Sequence, residues 1–160
     1  MEKIILMLGT FDSKGPEFAY LYSELLRRGS RVLTMNTGVL GATDRFPIDI
    51  PAEEVALRGG VPLCELRRIG DRGCAMEVMC KGARAVCQAL HKENKIHGII
   101  GMGGGGGTSI AATAMQGLPV GFPKVCITTL ASGDTSAYVG SKDILLFPSI
   151  VDISGINRFS

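Results

Sequence analysis

The chain of 160 residues has only two histidines, His91 and His97. Neither has a partner at metal-ligand spacing, and both lie near a helix-to-strand junction, so the sequence supports no zinc site, Ser-His-Asp triad or Cys-His pair. Its five cysteines, Cys64, Cys74, Cys80, Cys87 and Cys126, are odd in number and contain no Cys-x-x-Cys pair. They read as free thiols in a reducing compartment, with Cys80, Cys87 and Cys126 on buried faces. Surplus charge is also missing: the net value is +2, and basic residues cluster only at Arg27-Arg28 and Arg67-Arg68, giving nucleic-acid binding little support. No apolar run approaches membrane-spanning length, and Ile4 to Leu8 is too short for a secretory apolar core. A soluble, cytoplasmic protein is expected.

Apolar residues make up 46% of the chain, and no polar low-complexity run interrupts them, so one ordinary domain with a sizeable core is expected. Lys3 to Leu8 reads as a strand covered on both faces. Pro16 suits the first position of a helix, and Phe18, Leu21, Tyr22, Leu25 and Leu26 follow at helical spacing up to Gly29. Arg31 to Met35 supplies a second strand, completing a β-α-β unit. From Thr37 to Gly73 nine glycines and prolines break the periodicity. That stretch reads as a long irregular segment with a short helix from Pro51 to Arg58, of the kind that serves as a lid or partner-contacting arm.

Order resumes near Ala75, where Met76, Met79, Cys80, Ala83, Cys87 and Leu90 trace one helical face. Gly98 to Met102 is a third strand, followed by a glycine loop and a chargeless helix from Thr108 to Gln116. Lys124 to Leu130 and Ile144 to Phe147 complete five strands. Strands alternating with helices predict an α/β fold, doubly wound around a mostly parallel Rossmann-like or flavodoxin-like sheet.

Such folds bind ligands beyond the carboxyl ends of their strands. Three polar, glycine-bearing loops belong there: Gly9-Thr-Phe-Asp-Ser-Lys-Gly, the run Gly101-Met-Gly-Gly-Gly-Gly-Gly-Thr-Ser, and Ala131-Ser-Gly-Asp-Thr-Ser. The second is glycine or hydroxyl-bearing throughout except at Met102, and it joins a strand to a helix. Backbone amides can converge on an anion in such a turn, with the helix dipole adding to the attraction. The candidate ligand-binding residues are therefore Thr10, Asp12, Lys14, Gly103, Gly104, Gly105, Gly106, Gly107, Thr108, Ser109, Ser132, Gly133 and Asp134. No catalytic residue can be named.

Several features narrow the ligand. Five adjacent glycines satisfy Gly-x-Gly-x-x-Gly at almost any spacing, and no acidic residue between Glu93 and Asp134 is placed to hold a dinucleotide's ribose, so NAD is disfavoured. The Gly-Lys-Ser/Thr ending of a P-loop is missing as well. A nucleotide would rest on amides and hydroxyls, with Lys14 or Arg72 as countercharge and Asp12 or Asp134 holding magnesium through water. Each loop residue also has an ordinary alternative: an Asx-turn at Asp12 or Asp134, a solvated Lys14, a salt-bridged Asp71-Arg72-Gly73 turn.

These loops, together with Asn36-Thr-Gly-Val-Leu-Gly, Asp71-Arg72-Gly73, Ala114-Met115, Leu118-Pro-Val-Gly-Phe-Pro-Lys, Tyr138-Val-Gly and Asp152-Ile-Ser-Gly-Ile-Asn-Arg, resemble the first half of the Tm-one-like ATP-binding domain family. Gly105 stands where that family usually has a serine. The resemblance implies ATP binding near the junction of two Rossmann-like subdomains, the second having no counterpart within these 160 residues, and self-association into a homo-oligomer. The function expected is an ATP-binding domain of unknown cellular role. A small-molecule kinase or other phosphoryl-transfer enzyme, and an assembly subdomain without ligand, are the alternatives.

Overall fold

The computed structural model describes residues 3–156. Asn157 and Arg158 of the last family-like segment lie outside the described residues. Five strands, β1 (Ile4–Gly9), β2 (Arg31–Asn36), β3 (Gly98–Gly103), β4 (Lys124–Thr128) and β5 (Leu145–Pro148), form one sheet in the order β2-β1-β3-β4-β5. Every pairing is parallel. The fold is α/β and Rossmann-like, with the chain reversing its direction of travel across the sheet between β1 and β3.

The two faces of the sheet are covered unequally. Along β1, Leu6 and Leu8 point into one core and Met7 into the other, as the alternation of a strand requires. The larger core packs the sheet against helices α2 (Ala52–Gly59), α3 (Leu63–Ile69), α4 (Arg72–Lys92) and α5 (Gly105–Gln116). The smaller one lies under α1 (Gly15–Arg27), where Phe11 meets Phe18 and Phe46 edge-on at centroid distances of 4.8 and 4.9 Å. A short α6 (Ser136–Val139) links β4 to β5.

The segment expected to be irregular, save for a short helix from Pro51 to Arg58, contains that helix as α2 and a second one, α3. Its prolines and glycines bound these helices instead of dissolving them: Pro51 and Pro62 occupy the N-caps, and Gly60 and Gly70 close the C-termini in the left-handed conformation at φ of 101° and 68°. With 8 and 7 residues, the helices are too short to display a helical period. Helix α2 crosses α4 with backbones nearly touching. A Cβ on Gly59 would stand 2.1 Å from the Val78 carbonyl oxygen, and one on Gly82 would stand 1.9 Å from that of Val55.

Among the buried thiols, Cys87 and Cys126 have their pKa pushed up to about 12 by desolvation, which leaves them unreactive. Both histidines lie on the amino side of strands: His97 Nδ1 accepts the Ile4 amide, and the His91 ring meets Phe122 edge-on.

Candidate functional site

A cleft of about 640 Å³ opens at the carboxyl ends of β1, β2 and β3, where the topology of the sheet reverses. It is lined by the loop after β1 (Thr10, Asp12, Ser13, Lys14), the loop after β2 (Thr37 to Leu40), the starts of α4 and α5, and the end of α3. Because α1, α4 and α5 each leave the carboxyl edge of the sheet, their N-terminal turns and positive dipole ends all lie at this rim.

The glycine run is tighter than a loop. Strand β3 continues through Gly103, Gly104 is the N-cap, and α5 starts at Gly105, three residues before the helix expected from the sequence. Gly104 has no side chain to cap with, and its carbonyl accepts the Thr108 amide at 2.9 Å to close the first turn. The amides of Gly105, Gly106 and Gly107 have no acceptor in the helix, and these three residues line the cleft.

The two halves of the run differ in what surrounds them. A Cβ at Gly101 would stand 2.7 Å from that of Ala111, and one at Gly103 would stand 2.8 Å from Gly107 Cα, so close packing of α5 on β3 requires both glycines. At Gly105 a Cβ would meet nothing within 4 Å, and at Gly106 it would meet Met76 Sδ at 3.5 Å and Arg72 Nη2 at 3.9 Å. The Arg72 guanidinium thus stands over the open turn, without a hydrogen bond or ion pair among the described residues.

The hydroxyls at the end of the run are used internally. Thr108 is fully buried; its Oγ1 bonds the Gly103 carbonyl at 3.2 Å and Thr128 Oγ1 at 2.6 Å, tying α5 to β3 and β4. Ser109 donates to the Gly105 carbonyl at 2.9 Å. Neither residue lines the cleft.

In the β1 loop, Asp12 accepts the Leu40 amide at 2.9 Å, and the loop after β2 folds so closely over it that a Cβ on Gly38 would stand 2.3 Å from its carboxyl. Lys14 is the N-cap residue of α1 and lines the cleft, while its ammonium donates to the Ile153 carbonyl. Thr10 receives the Ser13 hydroxyl on its own at 3.1 Å. The β1 loop and the glycine run therefore share one cleft. Ser132, Gly133 and Asp134 are exposed and do not line it. Asp134 accepts the Ser136 amide at 2.9 Å, and this hydrogen bond, with a further one from the Ser136 side chain, holds its carboxyl below the usual range.

Sequence reasoning left out three groups of lining residues: Thr37 to Leu40, Arg67, and the apolar wall of Leu66, Ala75, Met76, Met79 and Ile110. Arg67 fastens α3 to the β2 loop by donating to the Val39 carbonyl at 2.6 Å. Asn36 does the same for the loop itself, its buried Oδ1 accepting the Phe11 and Gly38 amides at 3.1 and 2.9 Å and its Nδ2 donating to Gly41. The clue lay in the position of this segment, since any residue just past β2 belongs to the ligand edge of a parallel sheet.

With this architecture, the chain belongs to the Uncharacterised protein family (UPF0261), whose N-terminal domain it matches over residues 3–160. A UPF0261 protein of Clostridium tetani is 49% identical over 160 residues, covering 100% of this chain and 39% of the relative. One from Rhizobium meliloti is 40% identical over 158 residues, covering 99% and 38%. The tomato ToMV resistance protein Tm-1(GCR237) is 47% identical over 89 residues, covering 56% of this chain and 12% of that protein. The chain thus spans about two-fifths of the length of the bacterial relatives. Among the described residues, no helix is long and apolar enough to cross a membrane.

Proposed function

We propose that the cleft binds ATP, with its phosphates against the amides of Gly105, Gly106 and Gly107. The observation that carries this reading is an uncapped helix start, stripped of side chains and facing a cleft, with an unpaired arginine 3.9 Å from the Cβ position at Gly106. The volume of about 640 Å³ suits a nucleotide, and the thioether and aliphatic wall of the cleft suits a base. Magnesium would enter with the phosphates, Asp12 and Asp71 being the carboxylates that line the cleft. A phosphoryl-transfer role has less support, because the Asp12 carboxylate already accepts the Leu40 amide, and that of Asp134 accepts the Ser136 amide outside the cleft.

Titration calorimetry with ATP, with and without magnesium, tests the reading. Gly106→Val places a branched side chain over the open turn without entering the core, and it should weaken ATP by about tenfold or more. Unchanged affinity in a folded variant would refute phosphate binding at this turn.

A second reading concerns assembly. Helix α5, though chargeless, offers no docking face, because it is covered within the chain: Ile110, Ala111, Ala112, Ala114 and Met115 are all buried. Exposed apolar side chains follow one another closely at β5 and after it, where Leu145 and Phe147 are each 58% exposed and Ile150 is 83% exposed. We infer that this edge docks a second copy in a cytoplasmic homo-oligomer, or the second Rossmann-like subdomain where one is present. A monomer by light scattering at tens of micromolar would count against self-association.

A further inference from the structure

Thr37 is 2% exposed, and its hydroxyl oxygen is one of two buried side-chain oxygen or nitrogen atoms among the described residues with no hydrogen-bond partner. Its surroundings are otherwise satisfied. The Thr37 amide donates to the Gly9 carbonyl at 2.8 Å, the preceding Asn36 uses its side chain on Phe11, Gly38 and Gly41, and the Gly38 amide donates to Asn36 Oδ1. A hydroxyl held rigidly in a closed network and left unpaired at the wall of a cleft is a group whose partner comes from outside the protein.

Its place in the sheet defines that partner. Asn36 pairs with Gly9, and Leu8 pairs with Gly101. Continued past the strand ends, this register puts Thr37, Thr10 and Gly103 in one row, with Thr37 two strand spacings, about 10 Å, from the glycine turn. A bare phosphate at the turn cannot reach across that gap. A molecule carrying a hydroxyl-bearing group about 10 Å from its terminal phosphate can, and a nucleoside phosphate has a ribose at that reach. We propose that Thr37 is the sugar-hydroxyl anchor of the site, so that the cleft selects nucleoside phosphates over inorganic polyphosphate. This rests on the phosphate reading above, and Thr37 supplies its second point of attachment.

The test uses Thr37→Val, which keeps the shape and removes the hydroxyl, and Thr37→Ser, which keeps the hydroxyl. Affinity for ATP and for inorganic triphosphate is measured by calorimetry, and melting temperature is measured without ligand. Thr37→Val should weaken ATP about three- to tenfold, the range of one hydrogen bond, and leave triphosphate unchanged, while Thr37→Ser retains ATP. Without ligand, Thr37→Val should melt at or above the wild-type temperature, since it removes an unpaired buried polar group. Equal loss for both ligands, loss for neither, or a lowered melting temperature without ligand would overturn the anchor and leave phosphate binding standing. A wild-type protein that binds neither ligand would refute the phosphate reading, and the anchor with it.

Discussion

At Gly101 and Gly103 an added Cβ would stand 2.7 and 2.8 Å from atoms of α5, whereas at Gly105 it would meet nothing within 4 Å. One glycine-rich run, broken only by Met102, thus holds glycines of two kinds. The inner pair is required by packing, because α5 cannot otherwise press on β3. The outer residues are under no such pressure, and they form the first turn of a helix, where glycine is a poor choice. A glycine that packing does not demand and helix propensity disfavours points to a need for bare backbone, here beside the unpaired Arg72. The distinction matters because the sequence shows only repetition, and repetition alone made any glycine motif easy to match.

The difference can be broken most sharply at Gly103. Gly103→Ala should destabilise the fold by about 1–3 kcal/mol, since its methyl group would press on the backbone of Gly107. Denaturant unfolding checks this, and a variant as stable as the wild type would erase the distinction between the two halves. Gly105→Ala should act with the opposite sign, stabilising by up to about 1 kcal/mol through helix propensity. A melting temperature that falls would show that the outer glycines are structural after all.

The smallest effect is expected at the third loop. The hydrogen bonds from Ser136 lower the Asp134 pKa from its ordinary 3.8. A carboxylate with a lowered folded pKa stabilises the protein above its unfolded pKa, and that contribution disappears as pH falls through the folded value. Asp134→Asn should therefore cost slightly at neutral pH and nothing in strong acid, and the cost should not depend on ATP. Thermal melts across pH 2 to 7, a range of roughly five units around that titration, resolve the difference. A dependence on nucleotide would bring this loop into the same site as the glycine turn.

Much of the framework was legible in the residues. The covered strands, the α1 period and the alternation of strand with helix gave the sheet, and the rule for strand ends brought Thr10, Asp12 and Lys14 to the glycine turn. The start of α5 was not legible, because five glycines read as loop by propensity while packing against β3, β4 and α4 overrides that preference. Helix α2 was legible from Pro51 and the acidic residues after it, whereas α3 was hidden by its own caps, Pro62 and Gly70. Thr37 carries no local signal at all: an unpaired hydroxyl is recognised only when every neighbour has been accounted for in space.

The contact between α2 and α4 at Gly59 and Gly82 has a mechanical side. Carbonyl oxygens stand about 2 Å from where side chains would begin, so α4 is clamped there as a rod is clamped at a pivot. Arg72 and Met76 lie on the half of α4 that precedes this crossing and packs on α5, with Arg72 ten residues, about 15 Å, from Gly82. Bulk added at the crossing that tilted this half by a few degrees would move the guanidinium by about an ångström, enough to misalign it with the turn below. The aim of Arg72 is thereby set by two glycines it never touches.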